Sequence, residues 1–349
     1  MTANSDLLAQ VGTSEVLESL LDPEVSGEGS TLPALERLGR AGLLDVGTGG
    51  SDGLVAQFEV LSTLAEQSLS IAFSAWAHRM VAEYVSVGRS SSFGSGLGRR
   101  LSTGELIGST AMAPALRAQL GLGSVGLTAR RDAEGLVVDG AVAWASNLYP
   151  GRVVIVAAVE LDNGEHAVVA LTPEIGGVTI APPRPLLALD ATRSSSIVVT
   201  DAHVPFDQVL SWDLPGFLTK VRPVFLFLQT AFCLGLAAGS IGESTRIELA
   251  GPIEVLEGDL TRVKKDHERI RQEAIDTVED ANVSIAWLIG LRLEAATLAQ
   301  RAVAIETRIA GGRGYLAESG VSRRYREAAF LPIQSPTESQ LRWELSCFE

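Results

Sequence analysis

The sequence predicts an α+β multidomain chain in which a β domain lies between two helical regions, because the hydrophobic period changes twice along its length. Apolar residues recur at spacings of three and four over roughly the first hundred residues. From about 109 to 208 they form short β-rich runs flanked by turn signals, and after Trp212 the helical period returns. The 349 residues suit about two domains, with a single large one still allowed. The boundaries read as 1–108 for the N-terminal helical domain, 109–208 for a middle antiparallel β domain and 209–349 for the C-terminal helices.

In the first region Leu7, Leu8, Val11, Val16, Leu17, Leu20 and Leu21 fall on helical spacings. The stretch from Leu32 to Leu44 continues the pattern, with Gly42 near a helix end. Residues 59–87 read as one longer apolar helix carrying Trp76, His78 and Tyr84, and the Gly/Ser-rich string at 88–98 reads as a loop. In the middle block, Asp139-Gly140 and Asn163-Gly164 are hairpin signals among the runs at 153–161, 167–172, 178–181 and 196–204. The last block opens with an uncharged segment, 223–242, long enough to cross a bilayer. It is read as a buried bundle helix, since no second stretch of that length exists and Gly235, Gly239 and Gly242 suit close helix packing. An amphipathic helix over 254–280 follows, its stripe formed by Leu256, Leu260, Val263, His267, Ile270, Ala274 and Thr277. A further helix, 283–309, ends at Gly311-Gly312.

With 46% hydrophobic and 20% charged residues and a mean hydropathy of +0.23, the chain is too apolar for disorder. Its net charge of −14 repels phosphate backbones and anionic lipid surfaces, arguing against nucleic acid and membrane as partners. Two cysteines make no disulfide framework, the four histidines are scattered, and no metal motif is present. No secretory signal is readable near residue 1, so a cytoplasmic location is expected.

Several strings together resemble the acyl-CoA dehydrogenase superfamily: LSTGELIG (101–108), DGAVAWASN (139–147), ATRSSSIVVTDAHVP (191–205), CLGLAAGSIGES (233–244) and AGGRGYLAESGVSRRYREAAFLPI (310–333). The resemblance implies an N-terminal helical domain, a middle β domain and a C-terminal four-helix bundle. It further implies bound FAD, with FMN as the alternative, and a homodimer or homotetramer. By the same resemblance Trp144 and Ser146 match the positions that wall the flavin ring and approach its hydride-accepting nitrogen. Met112 and Ala113 match a segment beside the ring's pyrimidine edge. Gly311 and Gly312 match glycines that hold the adenine end in a neighbouring protomer, and Thr337 matches a flavin contact near the C-terminus. Taken without the family, Trp144 is an inward residue of an alternating strand and Gly311-Gly312 is a helix stop.

The sequence departs from the family in three places. The threonine-glutamate-proline loop is replaced by residues 111–124, AMAPALRAQLGLGS; the arginine-x-x-phenylalanine-glycine string is missing between Ser244 and Gly258; and Ser335 stands where the catalytic glutamate belongs. Acyl thioester dehydrogenation needs a carboxylate to take the α-proton while hydride leaves to flavin, and serine supplies none at neutral pH. Glu338, three residues on, is either a shifted base or a helix-capping acid. The expected function is a flavin-dependent oxidoreductase acting on an acyl thioester of coenzyme A or a carrier protein. One alternative is a monooxygenase of the same fold, supplied by a flavin reductase, with His78 as its candidate acid-base group. The other is a flavin-free subunit paired with an active homologue. Arg222 is a candidate for a substrate phosphate or thioester, or for capping its helix.

Overall fold

The computed structural model describes residues 29–48, 53–88, 92–247, 251–279 and 283–348. The helices expected from Leu7 to Leu21 lie outside the described residues. Among the described residues four helices come first: α1 (Leu32–Arg40), α2 (Leu54–Gln67), α3 (Leu69–Val87) and α4 (Ser92–Ser102). The single helix expected over 59–87 is two, because Ser68 adopts an extended backbone and accepts a hydrogen bond from the Ile71 N–H, capping α3. The expected loop at 88–98 is helical from Ser92.

The sheet contains β1 (Ile107–Thr110), β2 (Leu127–Arg131), β3 (Gly135–Ala145), β4 (Val153–Leu161), β5 (His166–Leu171), β6 (Val178–Ile180), β7 (Ser195–Pro205) and β8 (Val209–Ser211), with the short α5 (Ala113–Ala118) after β1. Their order is β6-β7-β3-β2-β4-β5-β8, with β1 on β4. This sheet is mixed, not purely antiparallel, since β1 and β2 both run parallel to β4. Asn163-Gly164 makes the β4–β5 hairpin, with Gly164 at φ 79°. Asp139-Gly140 does not turn. It lies inside β3 at an irregularity opposite β7, and a Cβ on Gly140, φ 128°, would meet the Gly126 carbonyl at 2.4 Å.

The C-terminal helices are α6 (Leu214–Arg246), α7 (Glu257–Glu279), α8 (Ile285–Ala310), α9 (Gly320–Phe330) and α10 (Glu338–Ser346). The uncharged segment is the middle of α6, which packs between α2 and α8, with 78% of its most apolar window buried. Its apolar surface is therefore accounted for by protein contacts. A Cβ on Gly235 would sit 2.1 Å from the Ser62 carbonyl, and one on Gly239 2.5 Å from that of Glu66, so glycine lets the α2 backbone approach α6. The stripe of α7 buries Leu260, Val263, Ile270 and Ala274, and His267 Nε2 lies 3.2 Å from the Leu234 carbonyl. Both helical regions and one face of the sheet share a single core, while the other face has its own.

Candidate active site

The first two turns of α3 lie between two groups of contacts, one including the Ser146 segment and the other the helices that hold Ser335. On one side, Asn147, fully buried at φ 61°, donates from Nδ2 to the carbonyls of Ser74 (2.9 Å) and Gly108 (3.0 Å). This joins the end of β3 to α3 and β1. The Ser109 hydroxyl donates to the Ser146 carbonyl, so the edge that continues into Met112 and Ala113 lies against the Ser146 segment. Met112 is buried and Ala113 half-buried. On the other side of α3, Phe73 and Trp76 pack against Phe225 and Phe232 of α6, and Phe73 also meets Phe330 of α9. Gln229, on α6 between those two phenylalanines, donates to the Ser335 carbonyl at 3.0 Å.

Trp144 is not a core residue. A second β3 irregularity, between Val142 and Ala145, breaks the alternation: Val142 and Ala145 are buried while the indole of Trp144 is 58% exposed. Beside it the half-buried Ser146 hydroxyl enters a chain through Ser194 to Thr192, each oxygen pair 2.7 Å apart. A bare flat aromatic face next to an ordered hydroxyl suits a planar heteroaromatic ring, so these residues fit a flavin ring at this edge. A shallow, open cleft lies against the loop that leads into Thr192. Its walls include Ser70 of α3, Leu189 and Asp190 of the loop before β7, and Arg323, Arg326 and Glu327 of α9.

Six candidates have different roles. His78 is fully buried, with Nδ1 accepting the Gly108 N–H at 3.0 Å. Burial pushes its pKa down to about 4, against the opposing pull of the Leu101 backbone. It is a neutral fastener between α3 and β1, with no exposure through which to meet substrate. Arg222 pairs with the buried Glu344, tying α6 to α10, and is engaged in that ion pair. Glu338 opens α10, its carboxylate 2.8 Å from Arg342 on the same helix, while Thr337 caps that helix by accepting from the Gln340 N–H. Glu338 is thus a first-turn helix acid, as the dipole favours. Gly311, φ 55°, ends α8, and with Gly312 it is exposed.

The Ser335 carbonyl is held by two amides. Gln229 and Gln334 both donate to its carbonyl, and the buried Arg292 donates to the Gln334 side-chain oxygen (2.9 Å) and to the Leu331 carbonyl (3.1 Å). Sequence reasoning did not single out Asn147, Thr192, Ser194, Gln229 or Arg292. The hydroxyl run at 192–196 was the only available signal for two of them. Among the described residues no group of three or more His, Cys, Asp or Glu side chains is arranged to hold a metal.

This architecture is the acyl-CoA dehydrogenase fold, and the chain is similar in sequence to one probable member of that group. It is 27% identical over 252 residues to a probable acyl-CoA dehydrogenase of Bacillus subtilis, YngJ, a match covering 62% of this chain and 65% of the relative. The matched stretch thus spans less than two thirds of that relative's length. Among solved structures, butyryl-CoA dehydrogenase from Megasphaera elsdenii superposes with a TM-score of 0.86 at 16% identity, covering 99% of this chain and 97% of the other. PigA with FAD and proline gives 0.84 at 15% identity, covering 99% and 97%. No family model matches the chain.

Proposed function

We propose that this chain is a flavin-dependent oxidoreductase acting on an acyl thioester without a carboxylate base at position 335, and that it works as an oxygen-using monooxygenase. The single observation that carries this reading is position 335: the Gln229 and Gln334 amides bond the Ser335 backbone carbonyl, and Glu338, the nearest acid along the chain, is turned to Arg342. Neither the serine nor these amides can remove an α-proton at neutral pH. When bound, FAD, or FMN in its place, would supply two-electron transfer and oxygen activation. Trp144 would cover one face of the ring and exclude water, Ser146 would orient its central nitrogen, and Met112 and Ala113 would border its far edge. Gly311 and Gly312 would receive the adenine end from a neighbouring protomer.

The second reading, acyl thioester dehydrogenation, is favoured by the Bacillus subtilis relative's being a probable acyl-CoA dehydrogenase. A flavin-free subunit paired with an active homologue is the third. The test is to load the protein with FAD, mix it anaerobically with an acyl-CoA, and separately measure oxygen uptake with a flavin reductase. Substrate-dependent oxygen uptake without anaerobic bleaching is expected, whereas bleaching by the thioester alone would establish the dehydrogenase reading. Failure to bind flavin would leave the subunit role. Ser335→Glu distinguishes them further. A restored base raises anaerobic flavin reduction roughly 10² to 10⁴-fold in a dehydrogenase framework, while in the oxygenase reading the added anion lowers turnover.

A further inference from the structure

The hydroxyl chain at the proposed ring site has a direction, and the direction follows from its buried end. The Thr192 hydroxyl lies 2.7 Å from the Leu189 carbonyl, Ser194 Oγ 2.7 Å from Thr192 Oγ1, and Ser146 Oγ 2.7 Å from Ser194 Oγ. Two oxygens at that separation need a hydrogen between them. A carbonyl has none to give, so the single hydroxyl hydrogen of Thr192 points to Leu189. Thr192 must then accept from Ser194, and Ser194 must accept from Ser146. The one hydrogen of Ser146 is spent inward, leaving only lone pairs to face a ligand.

The anchor holds this direction. Thr192 is fully buried, so no solvent reverses it. The turn that presents the Leu189 carbonyl is bounded by two non-glycine residues in the left-handed region, Leu189 (φ 66°) and Arg193 (φ 51°). Such sparsely populated conformations persist where surrounding contacts over-determine them. Here the Asn147 N–H donates to the Thr192 carbonyl at 2.8 Å, and the Thr192 N–H to Leu189 at 3.0 Å.

We propose that Ser146, Ser194 and Thr192 form a directional relay that makes Ser146 an acceptor toward the flavin, so that the site selects reduced over oxidised flavin. The proposal rests on the flavin reading above. The central ring nitrogen of oxidised flavin is an acceptor and meets a lone pair, an unfavourable contact. The same nitrogen carries a hydrogen in reduced flavin and donates it to Ser146. Ser146 is the contact residue, whereas Ser194 and Thr192 are positioning residues. The preference suits a protein that receives its flavin already reduced.

The experiment is an anaerobic titration with FAD and with dithionite-reduced FAD of the unmodified chain and of Ser194→Ala, Thr192→Val and Thr192→Ser. Ser194→Ala removes the inward acceptor and frees the Ser146 hydrogen to turn outward. Thr192→Val lets Ser194 donate back to Ser146, with the same result. Both variants should lower the ratio of reduced to oxidised affinity by roughly 5- to 10-fold, the worth of one hydrogen bond. The bound flavin's midpoint potential should fall with it. The central-nitrogen resonance of nitrogen-15-labelled oxidised FAD should shift toward its hydrogen-bonded position. Thr192→Ser, which keeps the hydroxyl, should behave as the unmodified chain. An unchanged ratio and resonance in folded Ser194→Ala and Thr192→Val, with FAD bound, would overturn the relay alone. Absence of FAD binding in either redox state by the unmodified chain would overturn the flavin reading together with it.

Discussion

His78 shows how one contact redirects a side chain's role. A histidine on an apolar helix offers acid-base chemistry in principle, yet here Nδ1 accepts the Gly108 N–H and burial holds the ring neutral to about pH 4. An unfolded-state histidine binds its proton near pH 6.5. Between those values the unfolded chain takes up a proton that the native chain refuses, so stability falls as pH drops through that window and is fully present above it. Urea unfolding should show the His78→Asn variant losing about 2 kcal/mol less than the unmodified chain between pH 7 and pH 5. Equal losses would mean that His78 is protonated in the native protein at mild acidity. Trp144 makes the opposite point, since alternation along β3 predicts an inward ring and one bulge turns it out.

Among the elements, α6 carries the most structural demand. Its glycines look alike in the sequence, but only Gly235 and Gly239 face a close backbone, while a Cβ on Gly242 would meet nothing within 4 Å. Gly235→Ala should therefore push α2 away and destabilise the chain by about 1–3 kcal/mol, whereas Gly242→Ala should be neutral or stabilising by up to ~1 kcal/mol through helix propensity. Thermal melts of the two variants provide the check. The same helix is tied to α10 by Arg222 and Glu344, both largely buried. Arg222→Ala strands the Glu344 carboxylate and should cost about 3–5 kcal/mol, and an Arg222→Met, Glu344→Leu pair should recover most of it. Chemical denaturation of the single and double variants tests this. A single variant that melted normally but bound an acyl thioester poorly would return Arg222 to the substrate.

For the molecule as a whole, the exposed apolar side chains are concentrated toward the C-terminus: Tyr315, Leu316, Tyr325, Ile333, Trp343 and Phe348. Scattered single residues of this kind are ordinary, but six within 34 positions, joined by the bare Trp287 of α8, suit an interface. A dimer or tetramer built through the C-terminal bundle is expected at micromolar concentration by light scattering. A monomer without detergent under those conditions would count against it, and against the delivery of Gly311 and Gly312 to a neighbour's flavin.

The helical–β–helical order, the amphipathic stripe of α7, the β4–β5 hairpin and the burial of α6 were readable because each is written in local spacing of apolar residues and turn formers. What spacing does not encode is which neighbour a side chain meets across the fold. The split of the long N-terminal helix at Ser68, the parallel pairing of β1 and β2 with β4, and the outward turn of Trp144 depend on long-range register and capping. So do the pairing of Arg222 with Glu344 and of His78 with Gly108. A polar side chain's chemistry is decided by its partners, and those here lie 30 to 122 residues away along the chain.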